Sequence, residues 1–241
     1  MKFSLSILAL SSALLIGSTG GNISESTGAA PQNAKSRHAI GRISAAPNAI
    51  DSTVRTAAVV RYRISTAQSR FMANVGSGGP LWFMGHAHHF AIRDFTGEAT
   101  ISPGSLAPAS LEMTVKAASL EETGKNFTEQ QKQMINNMAR KQVLEVGEYP
   151  EIVFKSTNIT GTMKPDGHYE ANIGGELTLH GVTRPIAIPA QVTVNGNTLH
   201  ANGEFSVNRS DYKVKTHSIK WGTIRVRNKI RFEFDIVANK V

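Results

Sequence analysis

From Gly174 to Val194 the chain switches between apolar and polar residues with a period of two, and that rhythm limits its fold more than any other feature. Leu177 and Leu179 alternate with Glu176, Thr178 and His180, and Ile186, Ile188, Val192 and Val194 resume the pattern. Such alternation puts successive side chains on opposite faces of a β-strand, one for a core and one for water. Gly181 interrupts the run, and a short Gly-Val-Thr-Arg connection predicts a hairpin. Pro185 and Pro189 offer no N–H to a ladder, so the second strand is expected at an edge or with a bulge.

The same rhythm recurs along the chain. Strands are expected at Val59–Ile64, Gln68–Val75, Phe90–Ile101 (with a bulge at Gly97), Leu111–Val115, Ile152–Thr160, Leu199–Val207 and Ile230–Ile236. Gly76–Pro80 and Pro165-Asp-Gly167 read as turns, and Asn195-Gly196 as a type I′ hairpin turn. A Lys-rich segment runs to Lys220, followed by Trp221-Gly222. One helix is expected from about Thr128 to Leu144. Thr128 and Gln131 have the spacing of a capping box, and Met134, Ile135, Met138 and Ala139 form a stripe at helical spacing. About eight strands with one α-helix make an all-β antiparallel barrel or sandwich, closed if the first and last strands pair.

Residues 1–20 have the form of a secretory signal peptide: an early Lys2, an apolar run to Ile16, then Gly17-Ser-Thr-Gly20. A retained N-terminal anchor is the alternative. Residues 21–57 contain no Phe, Leu, Met, Trp or Tyr, so they read as a flexible linker before a domain at 58–241. The chain has no cysteine, which excludes disulfides, Cys nucleophiles and Cys-ligated metals. A formal charge of +8 attracts anionic surfaces, and a solvated basic exterior explains it equally. No basic cluster interleaved with stacking aromatics marks a nucleic-acid module.

Inward-facing positions read Leu111/Met113/Val115, Ile152/Phe154, Leu177/Leu179, Phe205/Val207 and Ile230/Phe232/Phe234, all apolar. A barrel of about eight strands is either filled by its side chains or holds one small ligand. Periodicity does not distinguish the two.

Glu176-Leu-Thr-Leu-His-Gly-Val-Thr-Arg-Pro-Ile186 resembles the signature of the YceI-like family. Tyr149-Pro-Glu-Ile-Val-Phe-Lys-Ser156 before it and Phe205-Ser-Val-Asn-Arg-Ser-Asp-Tyr212 after it agree in order. Trp82-Phe-Met-Gly-His-Ala-His-His89 is similar to a family subgroup with a Gly-His-x-His element. The resemblance implies a lipocalin-like barrel that binds an isoprenoid lipid or a quinone tail in the periplasm, with no catalysis and no other cofactor. Candidate lipid-contacting residues are then Trp82, Phe83, His86, His88, Phe90, Met113, Phe154, Leu177, Leu179, Phe205, Phe232 and Phe234. The implied partner is a hydrophobic lipid, to which the net positive charge adds an anionic membrane surface; subunit number is left open.

Two other readings stand beside this one. His86 and His88, two apart on a strand, share a face and would supply part of a metal site in a metal-dependent enzyme. A solid-cored interaction module is the third. His180, on the polar face, reads as a surface residue.

Overall fold

Strands with one apolar face bury it most completely by curling into a closed sheet, and this chain does so. The computed structural model describes residues 59–102, 104–216 and 223–241. The expected signal peptide and linker, together with Lys220, Trp221 and Gly222, lie outside the described residues.

The strands are β1 (Val60–Ile64), β2 (Arg70–Gly78), β3 (His88–Ile92), β4 (Phe95–Ser102), β5 (Ser105–Lys116), β6 (Leu120–Glu122), β7 (Glu151–Met163), β8 (Tyr169–Leu179), β9 (Val182–Asn195), β10 (Thr198–Asn208) and β11 (Arg225–Lys240). All pairings are antiparallel. Three staves of the barrel are broken in two: β1 with β2, β3 with β4, and β5 with β6. Five unbroken strands, β7 to β11, complete a closed eight-stave barrel, with β11 hydrogen-bonded to both β1 and β2.

Two of the breaks have a visible cause. Between β1 and β2, Thr66–Gln68 forms a 3-10 turn whose Thr66 hydroxyl donates to the Phe95 carbonyl at 2.5 Å. Between β3 and β4, the Asp94 carbonyl accepts from the Lys116 amide at 3.0 Å. The expected single strand Phe90–Ile101 is therefore two, and the ladder irregularity falls at Ile101/Ser102 rather than at Gly97. Gly97 instead lets strands approach: a Cβ there would lie 2.5 Å from the Glu112 carbonyl oxygen. Gly76–Gly78, expected in a loop, belongs to β2.

The turns exchange types. His180 and Gly181 both have positive φ, +52° and +70°, as the type I′ turn between β8 and β9 requires. The connection is thus His180-Gly181, with Val182-Thr-Arg184 already in β9. At Gly196-Asn197 only the glycine has positive φ, so that hairpin is of the II′ kind. As the prolines predict, β9 carries Pro185 and Pro189 where β10 offers no ladder, since β10 pairs only with Gln191–Asn195.

Helix α1 (Glu129–Met138) begins with the expected capping box: Gln131 N–H donates to the Thr128 hydroxyl at 3.3 Å, and the Gln131 side chain accepts from Thr128 N–H at 2.8 Å. A π-turn, Ala139–Val143, ends it. Only half of the apolar stripe is used. Ile135 and Ala139 pack against Phe90, Ile92, Phe95, Val115 and Leu120, while Met134 and Met138 are exposed.

Candidate ligand cavity

The inward faces of the barrel do not meet at its centre. Between them lies a narrow cavity of about 150 Å³ that reaches solvent. Along β8 the lining runs from Ala171 to Leu179, nine residues spanning about 26 Å of strand. The walls are apolar; Thr100 and Ser110 border the space, but their hydroxyls bond each other at 2.6 Å on the exposed side of the sheet. An apolar void of this size stays dry and takes up apolar molecules.

Aromatic rings line one side. Phe205 stacks on Phe232 at 4.9 Å, Phe71 meets Phe232 at 6.0 Å, and Phe205 meets Phe234 at 6.4 Å. Register explains the first contact, because Phe205 on β10 lies directly opposite Phe232 on β11. Met113, Phe154, Leu177 and Leu179 complete the part of the lining that the sequence singles out. Phe71, Ile64, Ile101, Ile173, Ile188 and Ile236 also line the cavity and were missed as site residues. Period-two alternation marks most of them, for instance Phe71 with Ala73 and Val75.

Five expected contacts lie elsewhere. Trp82 and Phe83 sit on a 3-10 turn beyond β2, 54% and 66% exposed, because this turn projects past the end of the staves. Phe90 is buried in the solid core beneath α1. His86 is exposed outside β3. His88 opens β3 on the same face as Phe90, separated from the cavity by Phe90 and Ile92.

His88 belongs to a separate polar cluster. Its Nδ1 lies 2.8 Å from Oε2 of Glu122, whose side chain is fully buried. Glu122 Oε1 accepts from the His89 and Gly124 amides at 3.1 and 2.7 Å, so this carboxylate is satisfied on both oxygens. His88 also stacks on Phe127, with ring centroids 5.2 Å apart. Sequence reasoning passed over Glu122, since nothing in Leu120-Glu-Glu-Thr-Gly124 shows which glutamate turns inward. Among the described residues, no three His, Asp or Glu side chains converge as a metal site would need.

The turn at His180 is buttressed by the connection between α1 and β7. His180 is largely covered, not a surface residue: its Nε2 lies 2.7 Å from Glu145 Oε2, and its ring packs on Tyr149 at 4.3 Å. A Cβ at Gly181 would come within 2.6 Å of the Tyr149 ring. The Leu-His-Gly motif and the Tyr-Pro motif are therefore one contact. Nearby, burial pushes the Tyr212 hydroxyl above its ordinary pKa, helped by Asp211, and among the described residues that hydroxyl meets no hydrogen-bond partner.

The YceI-like domain family model matches residues 62–238, most of the chain and all of its barrel staves. The chain belongs to the YceI-like family. Among curated relatives, a UPF0312 protein of Pseudomonas savastanoi is 30% identical over 133 residues, 53% of this chain and 64% of that protein. A second, from Vibrio parahaemolyticus, is 30% identical over 103 residues, 43% of this chain and 49% of its own length. The matched segment thus spans one half to two thirds of these relatives. Of solved structures, Burkholderia cenocepacia BcnA superposes with a TM-score of 0.57 at 24% identity, covering 73% of this chain and 99% of that one. A polyisoprenoid binding domain from Saccharophagus degradans, implicated in plant cell wall breakdown, gives 0.53 at 11% identity, covering 76% and 100%. Both share the fold. Among the described residues no helix is long and apolar enough to cross a membrane.

Proposed function

We propose that this YceI-like protein binds one long-chain lipid, an isoprenoid or similar hydrocarbon, in the barrel cavity and carries or stores it in the periplasm. The observation that carries the reading is the apolar lining, continuous from Ala171 to Leu179 and without a charged group. Each methylene moved from water into such a wall gains about 0.8 kcal/mol, so affinity grows with chain length. A polar substrate would find no partner there and would forfeit its hydrogen bonds to water. The polyisoprenoid-binding description of the Saccharophagus domain supports the same ligand class. Binding rather than catalysis suits walls that offer no general acid, base or nucleophile. The secretory form of residues 1–20 supports the periplasmic placement.

His88, already engaged by Glu122, and exposed His86 give a metal-dependent enzyme little support. The void at the centre speaks against a solid-cored module. Organic extraction of the purified protein followed by mass spectrometry tests the proposal. It predicts a stoichiometric isoprenoid or acyl lipid, or stoichiometric uptake of added polyprenol by lipid-free protein. Absence of both would refute it.

A further inference from the structure

At the end of the barrel where β2 turns into β3, three consecutive large apolar residues face solvent. Trp82, Phe83 and Met84 are 54%, 66% and 49% exposed. Their backbone is not loose: Leu81 N–H donates to the Thr223 carbonyl at 3.0 Å, Met84 N–H to Leu81 at 3.0 Å, and the Ser77 hydroxyl to the Trp82 carbonyl at 2.8 Å. Gly85 packs so closely that a Cβ would lie 2.6 Å from Ser77 Cβ and 3.0 Å from Ile224. A fixed turn therefore holds these side chains outward, which marks an interaction site.

Basic residues surround it. From Arg225 to Arg231 the sequence has four Lys or Arg and no Asp or Glu. This start of β11 lies beside the turn, with Arg225 opposite Gly78 and Arg227 Nε donating to the Ser77 carbonyl at 2.7 Å. Lys229 and Arg231 continue along the exposed face of β11. A polar groove of about 590 Å³ runs down the outer wall from Ala87, bordered by Arg70, Lys125 and Arg231 against the single carboxylate of Glu233.

We propose that this tip docks the protein on an anionic phospholipid bilayer, with Trp82, Phe83 and Met84 at the headgroup boundary and the basic stretch against lipid phosphates. Tryptophan with flanking cations is the composition that binds such interfaces. A second copy fits less well, because a two-fold contact would set two basic tips against each other. An acidic polymer would leave the apolar trio without a partner. The docking goes beyond the cavity reading and holds whatever the cavity contains.

The test is flotation of the full protein with phosphatidylcholine vesicles and with equal mixtures of phosphatidylcholine and phosphatidylglycerol, at low and high salt. Binding to the anionic vesicles, weak binding to the neutral ones and release by salt are expected. Trp82→Ser with Phe83→Ser should weaken binding at least tenfold, and Lys229→Gln with Arg231→Gln roughly twenty-five-fold. In a Trp221→Phe background, the remaining Trp82 fluorescence should shift to the blue on anionic vesicles and be quenched by brominated lipid. This second readout leaves Trp82, Phe83, Met84, Lys229 and Arg231 unchanged. Failure to bind anionic vesicles, equal binding to neutral ones, or loss of self-association without loss of vesicle binding in the Trp82→Ser variant would each overturn the proposal. Since flotation does not depend on extractable lipid, the two hypotheses fail separately.

Discussion

The barrel centre and the wedge beneath α1 are built from the same kinds of residue, yet one is hollow and the other solid. Under the helix, Phe95 is 1% exposed and is met by Val115, Leu120, Ile135 and Ala139. At the centre, Phe205, Phe232 and Phe234 also point inward but stay only half-buried. The difference lies in what comes from across. α1 brings side chains into the wedge, whereas the cavity has wall opposite wall, with Ala99, Ala109, Ala171, Ala201 and Ala238 where larger residues would fill it. Two glycines thin the walls further. A Cβ at Gly175 would lie 2.6 Å from the Phe154 ring and one at Gly203 2.8 Å from the Phe234 ring, so these rings lie flat against neighbouring strands instead of across the void. Small residues keep the hollow open.

Truncation should separate the regions most sharply. Phe95→Ala is expected to cost about 4 kcal/mol in urea denaturation, the usual cost of a deep cavity. Phe234→Ala, beside space that is already empty, should cost about 2 kcal/mol or less. Equal losses would mean that the centre is packed like the wedge. Next in size is Glu122→Ala, which removes the partner of His88 and of two amides; a loss of about 3 kcal/mol is expected, and a neutral result would show that this carboxylate does not tie β3 to β6.

Filling sharpens the contrast from the other side. Ala201→Leu should change stability by less than about 1.5 kcal/mol, because the added methylenes enter a void. The same change should lower polyprenol uptake at least tenfold. The smallest effect is expected at Tyr212→Phe, within about 1 kcal/mol, since the lost hydroxyl has no partner among the described residues. Its pH signature is more telling. A Tyr212 pKa raised by burial contributes stability present below the unfolded value of about 10 and lost as pH rises through the folded pKa. Tyr212→Phe should therefore flatten the alkaline limb of the stability curve.

The hollow half of this comparison was readable in the sequence as a lining but not as a volume. Alternation along β8 and at Phe205, Phe232 and Phe234 identified inward residues correctly, because period two is dictated by the strand itself. Whether facing residues touch depends on barrel diameter and on Gly175 and Gly203, which no local pattern encodes. On the broken side, legibility failed sooner. Trp82, Phe83 and Phe90 were all expected on the cavity, yet the 3-10 turn ends before β3 and the first two lie exposed outside. His180 looked exposed by parity, but positive φ in a two-residue turn re-aims the side chain onto Tyr149. The capping box at Thr128 and Gln131 was read directly, since its partners are three residues apart.

The account's central claim is that the void accommodates a hydrocarbon chain. Titrating lipid-free protein with a fluorescent polyprenol, alongside the Ala201→Leu variant, tests it most directly. Saturation at one lipid per wild-type protein, with at least tenfold weaker binding by a variant that remains folded, is the predicted result. Equal uptake by both proteins, or uptake by neither, would contradict it.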